Sequence, residues 1–185
     1  MRKPNIPTLL LSLLAAGVAG PALAVNDVPP KPKEISSVIH ATAPYGAGKV
    51  TRIGITVYDD ALWTDARPWS MAKPFALTLH YHMSFSSTTL VQKTLDEIER
   101  IDGVDDPTLE QYRKQLAAVF PRVKSGDTIT ALFLPGKETQ FFYNGAATGS
   151  IKGDTFGKQF FDIWLSGKTS EPEARKQLLA GAATQ

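Results

Sequence analysis

The sequence predicts an α+β domain in which an antiparallel sheet is covered by helices on one face. Alternating apolar residues, typical of strands, occur both before and after a pair of amphipathic helices, and a second helix pair closes the chain. The predicted order is therefore β-β-β-α-α-β-β-β-α-α, and this segregation of strands from helices favours an α+β fold over a parallel sheet. A cleft between the sheet and the helices is then the natural place for a ligand.

The N-terminal half is expected to begin with a proline-rich, extended lead-in at residues 25–34, and the domain proper is expected to span residues 35–180. Strands are predicted at 38–39, 51–58 and 75–83, where β-branched or apolar residues alternate with polar ones. Gly46 and Gly48 are expected in the turn between the first two strands. The alternation places Ile53, Ile55 and Val57 on one face of the second strand, and Arg52, Thr56 and Tyr58 on the other.

The central helix pair is bounded by capping residues. Ser86 or Ser87 can cap a first helix that ends near Asp102-Gly103. Asp106-Pro107 opens a second helix, since Asp is a good N-cap and Pro suits the first helical position, and Pro121 ends it. Both helices carry an apolar stripe that can pack on the sheet.

The C-terminal half is predicted to contain three strands and two helices. Strands at 127–134 and 139–143 form a hairpin around Pro135-Gly136, and Asn144-Gly145 turns the chain into a strand at 146–151. A helix is predicted at 155–165 and another at 170–179, the latter opened by the capping box Ser170-Glu171-Pro172-Glu173.

Composition excludes several classes of protein. The chain has 185 residues, of which 43% are hydrophobic and 21% charged, as in ordinary globular proteins, and it has no Cys. Thiol nucleophiles, CxxC redox sites and Cys-ligated metals are therefore excluded. The formal charge of +2 includes Arg2 and Lys3, which lie in a segment expected to be removed, so the remainder is neutral. A neutral chain argues against a nucleic-acid partner.

The first 24 residues have the pattern of a secretory signal peptide. Arg2 and Lys3 precede an apolar stretch at 9–18, and the segment ends in Ala22-Leu23-Ala24, where small residues suit signal peptidase. We expect cleavage after Ala24 and a periplasmic or secreted protein with no stable membrane insertion. An uncleaved segment retained as an interfacial anchor is the alternative.

Four segments, at residues 57–63, 120–127, 141–145 and 160–170, occur in an order that resembles the chalcone isomerase-like family, in its bacterial exported branch. The resemblance covers about residues 35–179. It implies a chalcone isomerase-like open-faced sandwich, an antiparallel sheet against a layer of helices, which agrees with the architecture predicted from the residue patterns.

The resemblance implies two activities within the family. Plant isomerases close a flavonoid ring with an arginine near the glycine turn, a tyrosine and an asparagine around the first long helix, and a threonine near the last helix. Here the arginine position falls at Lys49 or Arg52, whereas residues 86–90, 95–97 and 172–175 supply none of the other three. Ring closure needs donors placed to stabilise an enolate, so the resemblance favours the non-catalytic, fatty-acid-binding members.

The leading hypothesis is therefore an exported, non-catalytic protein that binds a small hydrophobic or carboxylate-bearing ligand, such as a fatty acid, without a cofactor. The expected ligand-binding residues are Lys49 or Arg52 as the anchor of the acid group, with Tyr58, Trp63, Tyr81 and Phe160 as the wall. One alternative is an isomerase (an intramolecular lyase) that acts on a small aromatic or enone substrate with a different set of polar residues. Another is an interaction protein of the cell envelope, for which an exposed apolar patch would be the sign.

Two histidines raise the question of a metal site. His80 and His82 are two residues apart on a predicted strand, so both project from the face opposite Leu79 and Tyr81. A third ligand, His40, is available only if its segment lies alongside. A polar sheet face is the preferred interpretation, and no metal is expected.

The remaining polar clusters have simple structural interpretations. Asp59, Asp60 and Asp65 are expected to be solvated carboxylates at a strand end, although burial would raise a carboxyl pKa. The segment 46–49 resembles a phosphate loop only superficially and is expected to be a turn. No catalytic residue is assigned.

Overall fold

The computed structural model describes residues 30–182, so the predicted signal peptide at 1–24 lies outside the described residues. The six strands form one antiparallel sheet in which each strand pairs with its neighbours along the chain. The strands are β1 (Gly46–Arg52), β2 (Ile55–Trp63), β3 (Phe75–Tyr81), β4 (Thr128–Leu134), β5 (Glu138–Tyr143) and β6 (Ala146–Lys152). The helices are α1 (Ser87–Asp102), α2 (Asp106–Val119), α3 (Asp154–Leu165) and α4 (Pro172–Leu178). The predicted α+β class and element order are confirmed.

The first hairpin differs from the prediction. Residues 51–58, predicted as one strand, are the ends of β1 and β2 joined by a two-residue turn at Ile53 and Gly54. Both residues have left-handed backbone angles, with φ of 51° and 76°, as a type I′ hairpin turn requires. The alternation of apolar and polar residues continues through the turn, so the two-residue period of the sequence does not reveal that the strand ends there. Gly46 and Gly48 consequently lie in β1 and not in a turn.

The glycines of β1 allow α4 to lie directly on the strand. A Cβ atom at Gly46 would lie 2.2 Å from the carbonyl oxygen of Leu178, and one at Gly48 would lie 2.5 Å from Oε1 of Gln177. The contact at Gly46 is with backbone and excludes a side chain, whereas a side chain at Gly48 would displace the side chain of Gln177. The absence of a side chain at Gly46 is therefore what lets α4 lie directly against β1.

A β-bulge in β2 changes which residues face the helices. Val50 pairs with Tyr58 and Thr51 pairs with Thr56, so Val57 is an extra residue without a partner in β1. A bulge of this kind turns two successive side chains toward the same side of the sheet. Val57 and Tyr58 both face the helix layer for this reason.

The helix caps follow the sequence in part. The side chain of Ser86 accepts a hydrogen bond from the backbone of Thr89 and caps α1, as predicted. The cap of α2 is Asp105, one residue before the predicted Asp106, and Pro107 occupies the second position of the helix. At α4 the predicted capping box does not form, because the helix begins one residue later with Glu171 as N-cap, and the Ser170 hydroxyl donates to Glu97 Oε2 at 3.2 Å.

Hydrophobic clusters lie on both faces of the sheet. The larger one packs the sheet against the four helices, and the smaller one places Ile35 and Ile39 against Trp63 on the opposite face. Residues 38–39, predicted as a strand, instead follow a short 3-10 helix at Lys33–Ile35. The described end of the lead-in is thus not simply extended. Glu34 Oε1 accepts a hydrogen bond from Thr130 Oγ1 at 2.7 Å, which fastens this segment to the sheet.

Candidate functional site

A largely apolar cavity of about 450 Å³ lies between the sheet and the helix layer. Side chains of β3 and β4, including Leu79 and Ala131, form one wall, and α1 and α3 contribute Leu90, Phe160 and Trp164 to the other. The volume is that of a typical small-molecule site. Most of the lining surface is apolar, so an apolar ligand would fill most of the space.

Two tyrosines supply the polar groups of the sheet wall. Tyr58 and Tyr81 are direct cross-strand partners, and their rings meet edge to face with centroids 5.8 Å apart. The hydroxyl of Tyr58 accepts a hydrogen bond from Trp164 Nε1 at 3.0 Å, which leaves its own proton available. No described residue bonds the hydroxyl of Tyr81. Burial raises the pKa of both groups, so both stay neutral and can donate to an acceptor atom of a ligand.

Charged residues meet at the end of the cavity beside β1. Arg52 donates from Nη1 to Oε2 of Glu171 at 3.0 Å, and its second terminal nitrogen also contacts that carboxylate. Lys93 and Glu97, both from α1, line the same cavity. The lining therefore holds two cations and two anions. An ionised acid entering the cavity would have to share Arg52 with Glu171 or displace that carboxylate.

The structure brings together four of the six residues expected at the site. Arg52, Tyr58, Tyr81 and Phe160 all line the cavity. Lys49 does not, because it is three positions before Arg52 in the same strand and points to the opposite face, where its cross-strand partner is Asp59. Of the two anchors left open by the sequence, Arg52 is the one at the cavity.

Trp63 also lies away from the cavity. It belongs to the smaller cluster on the opposite face of the sheet, and its Nε1 donates to Thr78 Oγ1 at 3.1 Å. Tyr58 and Trp63 are five residues apart on β2, and the strand is regular between them. The alternation of side chains therefore puts the two residues on opposite faces of the sheet. The cavity residues that sequence reasoning did not select as ligand-binding include strand residues such as Leu79, and also Trp164 of α3 and Glu171 at the start of α4, both distant in the chain from β1.

The three neighbouring aspartates occupy different environments, and the expectation of solvated carboxylates is wrong for one of them. Asp59 contacts His82 Nε2 at 2.6 Å on the opposite face of the sheet. Asp65 accepts hydrogen bonds from the backbone of His40 and Ala41, which lower its pKa. Asp60 is fully buried.

Asp60 lies beneath α4, on the same face of β2 as Tyr58. Neither carboxyl oxygen makes a well-formed hydrogen bond to a described residue. Burial raises the pKa of Asp60 to about 7, and the backbone groups of Gly48 and of Asp60 itself oppose this effect only in part. Ionisation of Asp60 in turn raises the pKa of Tyr58. Asp60 does not itself line the cavity.

The histidines project as the strand period predicts. His80 Nδ1 lies 3.1 Å from Thr128 Oγ1, and the rings of His80 and His82 are 5.4 Å apart. His40 lies elsewhere, beside Asp65. Within residues 30–182, no three His, Asp or Glu side chains come together in a way that could hold a metal ion. No helix in the same range has the length and hydropathy needed to cross a bilayer.

The six-stranded sheet, its helix layer and the apolar cavity between them define an α+β domain with an internal space for a small molecule. A family model described as chalcone isomerase-like matches residues 45–180, and the chain belongs to that family. The predicted fold is thereby confirmed.

One solved structure similar to this chain is that of a fatty-acid binding protein from Arabidopsis thaliana. The two share 15% sequence identity over 76% of this chain and 88% of that one, with a TM-score of 0.59. At this identity the similarity shows a common fold. No curated protein matches the chain.

Proposed function

We propose that this protein is a non-catalytic binding protein that holds a small hydrophobic or fatty-acid-like ligand in the cavity between sheet and helices. The observation that carries the proposal is the cavity itself, with its apolar walls, two donor hydroxyls and one arginine at the end beside β1. An apolar chain would fill the walls, and its polar end would meet Tyr58, Tyr81 or Arg52. The fatty-acid binding function of the Arabidopsis protein of the same fold supports this choice of ligand class.

A catalytic role in the isomerase or lyase class has weaker support. Such a role calls for a titratable group with a perturbed pKa that can reach the substrate. Asp60 has a pKa near neutrality, but it is covered by α4 and does not line the cavity. The tyrosines that do line it are held neutral by burial. Donation of a hydrogen bond to a bound ligand is the chemistry that fits these groups best.

Export to a periplasmic or extracellular compartment, as in a bacterial exported branch of the family, is part of the proposal. It rests on the N-terminal pattern that ends at Ala24. The intact mass of the protein isolated from that compartment tests it, since cleavage after Ala24 gives a chain that begins at Val25. A mass that includes the first 24 residues would contradict the proposal.

Filling the cavity should weaken binding strongly. Ala131 is a small residue on the sheet wall, so the ring introduced by Ala131→Phe would occupy space intended for the ligand. We expect the affinity for dodecanoate, measured by isothermal titration calorimetry, to fall at least tenfold. Ala147→Phe, at an exposed position of β6, is the matched control and should bind as the unaltered protein does. Equal affinity of the two variants would place the ligand outside the cavity.

Removing the charge of Glu171 should strengthen the binding of acids. In Glu171→Gln the guanidinium of Arg52 loses its ionised partner and becomes available to a ligand carboxylate. Because Arg52 is largely exposed, the gain is modest, about 1 kcal/mol or roughly a fivefold rise in affinity for dodecanoate. The affinity for dodecanol should not change. Glu173→Gln, which alters an exposed residue of the same helix, serves as control.

The ligand itself can be sought without assuming its identity. Native mass spectrometry of the protein from its own compartment, followed by extraction, would show any co-purified small molecule. A bound fatty acid or another amphipathic molecule would support the proposal. Repeated recovery of an empty protein that also fails to bind added fatty acids would overturn it.

A further inference from the structure

The tip of the first hairpin is unusually apolar for a solvent-exposed turn. The side chain of Ile53 is fully exposed, and Ile55 is 58% exposed. Together with Met83, at 37%, these are the large hydrophobic residues that stand out from the surface of the described chain. No described side chain covers Ile53, so the residue does not contribute to the packing of the domain.

Ile53 is also unfavourable for the turn that it occupies. It adopts a φ of 51°, a left-handed conformation that crowds a β-branched side chain. Asn or Gly is the usual residue at this position of a type I′ turn. Neither solubility nor the stability of the hairpin accounts for an isoleucine here. A favourable transfer of the Ile53 side chain from water into an apolar environment, which occurs only when the tip binds something, would account for the choice of isoleucine.

The exposed tip is continuous with the cavity. Ile55 is the cross-strand partner of Arg52, so the two share a face of the hairpin. Arg52 and Val57, the residue two positions after Ile55, both line the cavity, as does Met83. An apolar strip therefore runs from the turn, along β2, to the place where the cavity begins. A ligand that moves from an apolar phase around the tip toward the cavity would contact this strip first.

We propose that the β1–β2 hairpin tip inserts into the surface of a lipid bilayer and positions the cavity for exchange of its ligand with the membrane. Ile53 enters the boundary between headgroups and acyl chains. The free energy gained by burying its side chain there offsets the cost of its exposure in water and of its backbone strain. Within residues 46–58 the two charged residues, Lys49 and Arg52, are both basic, and although Arg52 is paired with Glu171, the hairpin itself carries no acidic group that the anionic surface of a membrane would repel. The docking part of this proposal depends only on the hairpin tip. The ligand-exchange part rests on the proposed function.

A bilayer fits this surface better than a protein partner does. A stable protein interface needs a broad, complementary patch on each side. The tip is instead a two-residue turn at the end of a narrow hairpin, and its apolar side chains follow one strand. Shallow insertion into a fluid phase needs no complementary shape. A second copy of this chain is the competing occupant, and the experiment distinguishes it.

Co-sedimentation with vesicles of phosphatidylcholine and phosphatidylglycerol tests the docking. We expect the exported protein to sediment with them and Ile53→Asn to lower the partition coefficient at least tenfold. Asn favours the left-handed turn, so this variant should fold at least as well as the unaltered protein. The matched variant Ile53→Phe should keep or increase binding, because it preserves the apolar side chain. All these proteins carry the same N-terminus.

Other outcomes overturn the docking proposal. It fails if the unaltered protein does not sediment with vesicles, or if Ile53→Asn sediments equally well. It also fails if Ile53→Asn instead dissociates a dimer, seen by sedimentation velocity without vesicles, because the tip would then contact a second copy.

Binding of dodecanoate in free solution separates this proposal from the function. Ile53→Asn should bind dodecanoate as the unaltered protein does, while dodecanoate transfer from vesicles slows at least fivefold. An unchanged transfer rate in a variant that no longer docks would overturn the exchange role. If no protein binds dodecanoate and vesicle binding still depends on Ile53, the docking stands and the proposed fatty-acid function fails.

Discussion

Raising the pH from 5 to 8 should lower the free energy of unfolding by about 2–3 kcal/mol through Asp60 alone. In the folded protein burial raises the pKa of this carboxyl from 3.8 to about 7. Between these two values the folded state keeps a proton that the unfolded chain has lost. Stability therefore falls as the pH rises through this window, and the loss is nearly complete above pH 7. The measurement is urea unfolding at several pH values between 5 and 8.

Asp60→Asn should remove most of this pH dependence. The amide imitates the protonated carboxyl, so the variant should resemble the unaltered protein at pH 5 and exceed its stability at pH 8 by about 2 kcal/mol. Asp59→Asn alters the adjacent residue on the opposite face and should leave the slope between pH 5 and 8 largely in place. A slope that persists unchanged in Asp60→Asn would show that another group causes it.

Phe161→Ala should destabilise the protein by about 4 kcal/mol, within the range for buried phenylalanines. Phe161 lies on α3, is completely buried, and its ring centroid is 4.6 Å from that of Phe75 and 5.1 Å from that of Phe160. Truncation leaves a void between the helix and the sheet that close-packed neighbours cannot fill. Chemical denaturation at fixed pH measures the effect.

The matched control for this substitution is Phe142→Ala. Phe142 is only half-buried and packs against the smaller cluster on the other face, so its loss should cost about 1 kcal/mol. If the two variants lost equal stability, or if Phe161→Ala lost less than about 1 kcal/mol, the central role of the α3 interface would be contradicted.

Most of the fold could be predicted because local patterns determine it. The period change that marks α1, the Asp-Pro start of α2 and the Asn144-Gly145 turn are properties of neighbouring residues, and the structure agrees with them to within a residue or two. The turn at Ile53 was missed for the opposite reason. Its first residue is one that such turns normally avoid, so Gly54 is the single local signal for the turn, and the continuing apolar alternation outweighs it.

The site was less predictable because tertiary contacts determine it. Arg52 and Glu171 are 119 residues apart, and only the seating of α4 on β1 brings them together. Strand alternation alone could have separated Lys49 from Arg52. It could also have placed Asp60 on the face of Tyr58 and Leu62, and thus in the interior. Which helix covers that face could not be known from the strand.

An open sheet exposes two edge strands, and unpaired edges invite intermolecular strand pairing and aggregation. Here the edges are β1 and β6, each of seven residues. Register breaks occur in both outer pairs, β1 with β2 and β5 with β6, and in none of the three inner pairs of the described sheet. Such irregularity bends an edge away from the flat geometry that another chain would extend. The bulge that aims Tyr58 at the cavity therefore also distorts the pairing of the β1 edge, which disfavours extension of the sheet by another chain.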